Sequence, residues 1–153
     1  MDKTLCVAKH LYQMYADRFG EPMDQLKMHK LMYFANRESL MYSKSPLFNE
    51  SFHGWKYGPV LLSVRKAYNP KNNQTKEPFA DVEGTVSEQT NQYLQDVLDR
   101  YGSLSSWKLS ALSHDELSWK MARLGLSPDE NGDVELSPNL LRVDAKRELE
   151  RRA

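Results

Sequence analysis

The fold is decided by one uninterrupted stretch, residues 25–42, which reads QLKMHKLMYFANRESLMY. It contains no Gly or Pro, and Asp24 stands before it as a candidate helix cap. On a helix of 3.6 residues per turn, its apolar side chains occupy three sectors: Leu26, Leu31, Phe34 and Met41; Met28, Met32, Ala35 and Tyr42; Tyr33 and Leu40. Such a helix is buried, so we expect a central helix over Gln25–Tyr42. Its Lys27, Lys30 and Arg37 should bury their aliphatic stems and direct their charges to solvent or to carboxylates.

The composition agrees with a helical domain. The chain has 153 residues and a mass of 17.8 kDa, which fits one domain and leaves no room for a second. It holds 20 Leu and 7 Met against 8 Val, 4 Thr and no Ile, whereas pleated sheets favour β-branched residues. We therefore predict a mainly α fold, a single compact domain over residues 1–153 with six or seven helices around the central one. A small two- or three-stranded β element is expected near Phe48–Trp55.

Local start and stop signals place the remaining elements. Gly20 should end a first helix whose apolar stripe runs from Leu5 to Phe19, and Ser87 should start a fourth helix that ends at Gly102. Further helices are expected from Pro59 to about Tyr68, near Ser105–Leu112, from His114 onward, and from Ser137-Pro138 to about Arg152. The polar segment Asn69–Gly84 is predicted to be a long loop with a short strand at Phe79–Val82 that pairs with Phe48–Trp55.

The helix predicted from His114 has a specific start signal. Ser113 and Glu116 have the spacing of a capping box, in which the Ser113 hydroxyl accepts from the Glu116 amide and the Glu116 carboxylate accepts from the Ser113 amide. Trp119 and Arg123 lie four residues apart on this helix, a spacing that predicts a cation–π pair. Glu148 and Arg152 have the corresponding spacing for an ion pair in the last helix.

The charges divide unevenly between the two halves of the chain. Residues 1–76 hold 12 Lys and Arg against 6 Asp and Glu, and residues 77–153 hold 9 against 15, so the halves carry +6 and −6. Either the halves fold against each other and neutralise locally, or the surface is electrically two-sided and orients a protein partner. Neither pattern is the clustered net basic charge of a nucleic-acid-binding protein, so we do not expect nucleic acid as a partner.

Two features bear on the compartment. No stretch approaches the ~20 apolar residues of a membrane span, and Asp2 and Lys9-His10 interrupt the start of the chain where a signal peptide would be apolar. The single cysteine, Cys6, cannot form an internal disulfide. We therefore expect a cytoplasmic protein that does not bind membranes.

Candidate chemical sites are weak. Asp129, Asn131 and Asp133 resemble the start of a calcium loop, but Val134 and Leu140 stand where that loop needs Gly and Glu, so a turn at Asn131-Gly132 is favoured. Cys6 and His10 have helical spacing for an activated thiolate, yet they lie on a face without an evident cleft or orienting group. The four histidines have no metal-ligand spacing, and no Gly-rich phosphate loop or nucleophile elbow exists. We expect no catalytic residue, no metal and no cofactor.

Three blocks of sequence resemble one known family, the SocA-like or Panacea antitoxin domains. Residues 26–35, LKMHKLMYFA, are similar to that family's LKLQKLLYYA helix, and residues 52–60, FHGWKYGPV, to its FEAWKYGPV block. Residues 113–123, SHDELSWKMAR, resemble its THxExPWxxAR block. The blocks occur in the family's order, and the resemblance covers roughly residues 5–125. His29, Gly54, Ser113 and Ser118 replace the family's usual Gln, Ala, Thr and Pro.

The resemblance implies a protein that is not an enzyme and that neutralises a toxin, usually encoded beside it, by binding the toxin. In one described mode such a protein delivers the toxin to a cytoplasmic AAA+ protease as an adaptor. The alternative is a phage or prophage accessory protein that binds a host defence or regulatory protein. The family-motif residues, with a scaffold or partner-binding role, are Leu26, Lys27, Lys30, Leu31, Tyr33, Trp55, Tyr57, Gly58, Pro59, Val60, His114, Glu116, Trp119 and Arg123.

Six of the motif residues are predicted to be scaffold rather than contact residues: Trp55, Tyr57, Gly58, Pro59, Trp119 and Arg123. A motif set shared among proteins with diverse partners, and built around Gly-Pro punctuation and a helix cap, is typical of folding devices. Partner specificity is then expected on exposed segments, for which the Asn69–Gly84 loop and the C-terminal helix are the candidates.

Overall fold

The fold is given by a computed structural model that describes residues 1–69, 71 and 77–153. Within these residues it contains seven helices and one two-stranded antiparallel sheet, which confirms the mainly α prediction. The elements in chain order are α1 (Thr4–Phe19), α2 (Gln25–Tyr42), β1 (His53–Trp55), β2 (Gly58–Val60), α3 (Leu62–Tyr68), α4 (Glu88–Tyr101), α5 (Ser106–His114), α6 (Leu117–Ala122) and α7 (Pro138–Arg152). No helix in the described part of the chain is both long and apolar enough to cross a membrane.

The helix α2 is the centre of the molecule, as its apolar pattern predicts. Every residue from Met28 to Met41 is buried, because α1, α3, α4, α5, α7 and β2 all pack around it. The Asp24 side chain accepts a hydrogen bond from the Lys27 amide at 2.8 Å and so forms the expected cap. A helix surrounded on all sides fixes the positions of the elements that touch it, including the hairpin described below.

Several predicted boundaries are confirmed. Gly20 ends α1 in the left-handed region at φ 73°, which a glycine adopts at little cost. Ser87 caps α4 by accepting from the Thr90 amide at 3.1 Å, and Ser137 caps α7 with Pro138 at its first position. Start and stop signals within a few residues of sequence therefore located these helices.

The predicted β element is real, but its strands and partner differ from the prediction. β1 covers only His53–Trp55 and pairs with Gly58–Val60, so Pro59 lies opposite Gly54 in a strand and does not start a helix. The third helix, α3, begins at Leu62. A single bridge from His53 to Glu135 adds a third strand-like contact.

The predicted strand at Phe79–Val82 is wrong. The chain turns there, with the Val82 amide donating to the Phe79 carbonyl at 3.1 Å, and the Phe79 ring is buried edge-on against Tyr12 and Tyr68. Six residues of the predicted Asn69–Gly84 loop, 70 and 72–76, lie outside the described residues. The turn expected at Asn131-Gly132 is displaced to residues 127–130, where the Glu130 amide donates to the Ser127 carbonyl at 3.1 Å.

The predicted capping box is also wrong, because Ser113 lies in the last turn of α5 and its hydroxyl donates to the Ser110 carbonyl at 3.0 Å. The next helix, α6, starts at Leu117, three residues later than expected. Its cap comes from α7: Asp144 Oδ1 accepts from the Leu117 amide at 2.7 Å and Oδ2 accepts from the Ser118 amide at 3.0 Å. A distant carboxylate thus replaces the local cap that the sequence suggests.

Candidate interaction site

The hairpin formed by β1 and β2 is held by side chains from α6. The Trp119 indole donates from Nε1 to the Trp55 carbonyl at 2.7 Å, and the Arg123 guanidinium donates to the Gly54 carbonyl at 3.2 Å. The same guanidinium lies 5.6 Å from the centre of the Trp119 ring, which confirms the predicted cation–π pair. The His114 ring stacks on the Trp119 ring, with the ring centres 4.1 Å apart and the planes nearly parallel. The third motif block therefore anchors the second.

The other end of the hairpin is held by the first motif block. Lys30 on α2 is 2% exposed, and its Nζ donates to the Tyr57 carbonyl at 3.0 Å. The Ser110 hydroxyl donates to the same carbonyl at 3.1 Å. Burial lowers the pKa of Lys30 to about 8. The first and third motif blocks thus converge on three backbone carbonyls of the second, those of Gly54, Trp55 and Tyr57.

Two glycines allow this close packing. Gly58 has φ +127°, a conformation that other residues rarely adopt, and a Cβ there would lie 3.0 Å from Ser113 Oγ. A Cβ on Gly54 would lie 2.8 Å from the Cβ of Ala122 on α6, closer than side chains approach one another. The family that the sequence resembles usually has Ala at the position of Gly54. The hairpin and α6 therefore approach each other here more closely than an alanine side chain would allow.

The departure at His29 is also accommodated. The His29 Nδ1 accepts a hydrogen bond from the Leu61 amide at 3.2 Å, in the segment that connects β2 to α3. Burial, helped by the charges of Lys30 and Arg65, lowers the pKa of His29 to about 3. The imidazole is therefore neutral at physiological pH, as an acceptor of this bond must be.

A buried polar cluster lies further along the same face of α2, where Tyr33 and Arg37 follow Lys30 at helical spacing. Arg37 pairs with the Glu116 carboxylate, as predicted for a charge on the central helix, and the Tyr33 hydroxyl lies 3.0 Å from an oxygen of each of Glu116 and Asp144. Burial raises the pKa of Glu116 to about 7 against the opposing effect of Arg37. Two of the predicted site residues, Tyr33 and Glu116, thus belong to a buried structural cluster.

The cluster continues into α7 through a second ion pair. Arg152 donates to Glu38 at 2.5 Å and to Glu148 at 2.9 Å, which confirms the predicted pair within α7. Glu38 and Asp144 are not among the residues that the sequence motifs indicate as functional. The available signal was the spacing of Asp144 and Glu148, which places two carboxylates on one face of the last helix.

The fourteen family-motif residues differ in exposure. Eight are buried: Lys30, Leu31, Tyr33, Gly58, Pro59, Val60, Glu116 and Arg123. Four are partly exposed: Lys27, Trp55, His114 and Trp119. Lys27 lies apart from the hairpin and donates to the Gly102 carbonyl at 2.8 Å. The remaining two have exposed side chains, Tyr57 at 57% and Leu26 at 46%.

The exposed motif side chains line an open groove, which we call the hairpin groove. It has a volume of about 700 Å³ and is lined by Gln25, Leu26, His29, Lys30, Trp55, Lys56, Tyr57, Pro59, Val60, Arg65, Asn131, Gly132 and Asp133. The Arg65 guanidinium lies 5.0 Å from the centre of the Trp55 ring, and Lys56 Nζ lies 5.3 Å from that of Tyr57. Asp133 accepts from the Trp55 indole at 2.9 Å. The groove therefore combines two aromatic rings with cations placed over them.

The Cys6 and His10 pair lies elsewhere, on α1. The expectation of a face without a cleft or orienting group is wrong, because the segment that precedes α4 covers this face and forms a cleft of about 370 Å³ there. Within it Asn91 bonds to His10 at 2.8 Å, and the Cys6 thiol donates to the Glu83 carbonyl at 3.3 Å. In the part of the chain that the structure describes, no three His, Cys, Asp or Glu side chains are grouped to hold a metal ion.

The fold and the motif-built hairpin define a SocA-like antitoxin domain. A family description, "Antitoxin SocA-like, Panacea domain", matches residues 28–120, more than half of the chain, and the chain belongs to this family. Among curated proteins, Antitoxin SocA of Caulobacter vibrioides (strain NA1000 / CB15N) is 28% identical over 104 residues, which cover 61% of this chain and 55% of that protein. This chain therefore spans about half the length of that relative. No solved structure matches the chain significantly.

Membership in this family supports a role in a toxin–antitoxin system.

Proposed function

We propose that this chain silences a toxin encoded by a neighbouring gene through direct protein–protein binding, without catalysis and in the cytoplasm. The observation that carries direct binding is the hairpin groove, into whose opening Tyr57 and Leu26 extend exposed side chains that the fold does not bury. Aromatic side chains on a rigid support are common binding hot spots in protein interfaces. The buried motif residues then hold the groove in shape.

Two versions of this function differ in the fate of the toxin. In simple inhibition the toxin accumulates in an inactive complex, whereas in the adaptor version the complex is delivered to an AAA+ protease and the toxin disappears. Both begin with the same binding event. Immunoblotting of the toxin, in cells with and without the protease, separates them.

The decisive experiment expresses the neighbouring open reading frame with and without this chain. We expect growth arrest from the neighbour alone, rescue by co-expression, and a complex that co-purifies. The Cys6→Ser variant should rescue as well as the wild type, because the proposed function uses no thiol chemistry.

Four outcomes contradict the proposal. The neighbour can be harmless alone, or it can remain toxic while this chain is present and soluble. A loss of rescue in a folded Cys6→Ser variant would favour a hydrolase instead. Capture of a host defence or regulatory protein, with no toxic neighbour, would favour the phage accessory function.

A further inference from the structure

We infer that the hairpin groove binds an acidic segment of the toxin that carries an aromatic or aliphatic anchor side chain. This inference rests on the proposed function and adds to it the surface and the chemistry of the contact. It concerns an occupant whose carboxylates meet the cations of the groove and whose anchor packs between the aromatic rings.

The charges of the groove select an acidic partner. Three cations line it, Lys30, Lys56 and Arg65, against one carboxylate, Asp133. Lys30 lies at the base, where its amine is tied to the Tyr57 carbonyl, while Arg65 is exposed and Lys56 half-exposed at the walls. The local excess of positive charge is the complement of a segment rich in Asp or Glu.

The aromatic side chains provide the apolar part of the contact. The Tyr57 carbonyl is held by Lys30 and Ser110, yet its ring is 57% exposed, so the fold uses the backbone of this residue and leaves the side chain free. Leu26 adds a second exposed apolar side chain from α2. Together with the partly exposed Trp55 they form a mixed apolar and cationic surface suited to an anchor side chain flanked by carboxylates.

The groove is also held in a fixed shape. Side chains of α2, α5, α6 and the residue after α6 bind the carbonyls of Gly54, Trp55 and Tyr57. On the outer edge of β1, the Gly54 amide donates to the Val134 carbonyl at 2.8 Å. Little ordering of the antitoxin is then required on binding, and a rigid site of this kind loses less conformational entropy.

The test compares two double variants of equal charge change. Lys56→Glu with Arg65→Glu reverses two cations of the groove, and the control, Lys66→Glu with Lys71→Glu, reverses two exposed cations outside it. The probe is the purified toxin from the neighbouring gene, titrated calorimetrically against each full-length variant. We expect the groove variant to raise Kd by at least about tenfold and the control by less than about threefold, with unchanged melting temperatures.

An aromatic pair of variants tests the anchor. Tyr57→Ala should weaken binding by at least about tenfold, whereas Trp107→Ala, which removes an 84% exposed side chain on α5 outside the groove, should leave Kd within about threefold of wild type. The reverse result would place the toxin on α5 and overturn the inference.

The remaining outcomes separate this inference from the proposed function. If wild-type chain does not bind the toxin at all, both fall. If the wild type binds and the groove variants bind equally well, the proposed function stands and the groove assignment is wrong. If light scattering shows a dimer that the groove variants convert to a monomer, the occupant is a second copy of this chain and the inference is overturned.

Discussion

Replacing Asp144 by alanine should lower the free energy of unfolding by about 2–4 kcal/mol, although this residue lies outside the stretch matched by the family. The carboxylate is 1% exposed and accepts three hydrogen-bond contacts: from the Leu117 amide, the Ser118 amide and, at 3.0 Å, the Tyr33 hydroxyl. Alanine removes the two oxygens that accept these three bonds. The first turn of α6 then has no side-chain cap.

The magnitude follows from the individual losses. Loss of a helix cap costs about 1–2 kcal/mol, and a buried donor left without a partner costs about 1–3 kcal/mol. The Ser118 amide is such a donor, whereas the Tyr33 hydroxyl keeps Glu116 as a partner at 3.0 Å. Relief of the repulsion between Asp144 and Glu116 offsets part of the loss, which sets the upper limit near 4 kcal/mol. Since a domain is stable by about 5–15 kcal/mol, this change is large.

The assay is urea unfolding followed by far-ultraviolet circular dichroism. The matched control is Asp115→Ala, whose carboxylate is exposed and pairs with Lys120 at 3.6 Å. We expect the control to change the free energy of unfolding by less than about 0.5 kcal/mol. A loss in Asp144→Ala no larger than in the control would show that α6 does not depend on its cap from α7.

Two further predictions concern the motif tryptophans and pH. Trp119→Ala should lower the melting temperature, because the indole is partly buried and donates a hydrogen bond to the Trp55 carbonyl. We expect a loss of about 2–4 kcal/mol in the free energy of unfolding, measured by thermal unfolding. An unchanged melting temperature with lost toxin binding would make Trp119 a contact residue. His29 has a folded pKa of about 3, below its ordinary 6.5, so its contribution to stability is complete above pH 6.5 and is lost as the pH falls toward 3. His29→Gln retains an acceptor for the Leu61 amide but does not titrate. Below pH 6.5 its free energy of unfolding, measured in urea, should therefore rise relative to that of the wild type by up to about 1.4 kcal/mol for each unit by which the pH falls. Parallel pH profiles of the two proteins would contradict this prediction.

The helices were predictable where the signal is local. The all-round apolar pattern of residues 25–42 and the caps Asp24, Ser87 and Ser137 depend only on neighbours in sequence, and each is confirmed. The hairpin was not predictable in this way. Gly58-Pro59 is an equally good signal for the start of a helix and for a tight strand turn, and only the positive φ of Gly58 and the close packing of Ser113 decide between them.

The capping box failed because of a competing long-range interaction. Ser113 and Glu116 satisfy the local pattern, but Arg37 is buried and needs a carboxylate, and leaving that charge unpaired would cost more than a local cap gains. Glu116 therefore pairs with Arg37, and Asp144 from α7 caps α6 instead. No local sequence pattern could predict these contacts. Arg37 and Glu116 are 79 residues apart, and Asp144 is 26 to 27 residues from the amides that it caps.

In the candidate site, the backbone and the side chain of one residue have different roles. The carbonyls of Gly54, Trp55 and Tyr57 are bound by the fold, while the Tyr57 ring and part of the Trp55 ring remain available to a partner. One motif residue can therefore support the fold through its backbone and contact a partner through its side chain. The sequence alone presents these two roles as alternatives. Because the backbone is held independently of the walls, changes at Lys56 or Arg65 alter the surface of the groove without disturbing its support. If the hairpin backbone is fixed while the side chains that line the groove vary, one fold can recognise different toxins.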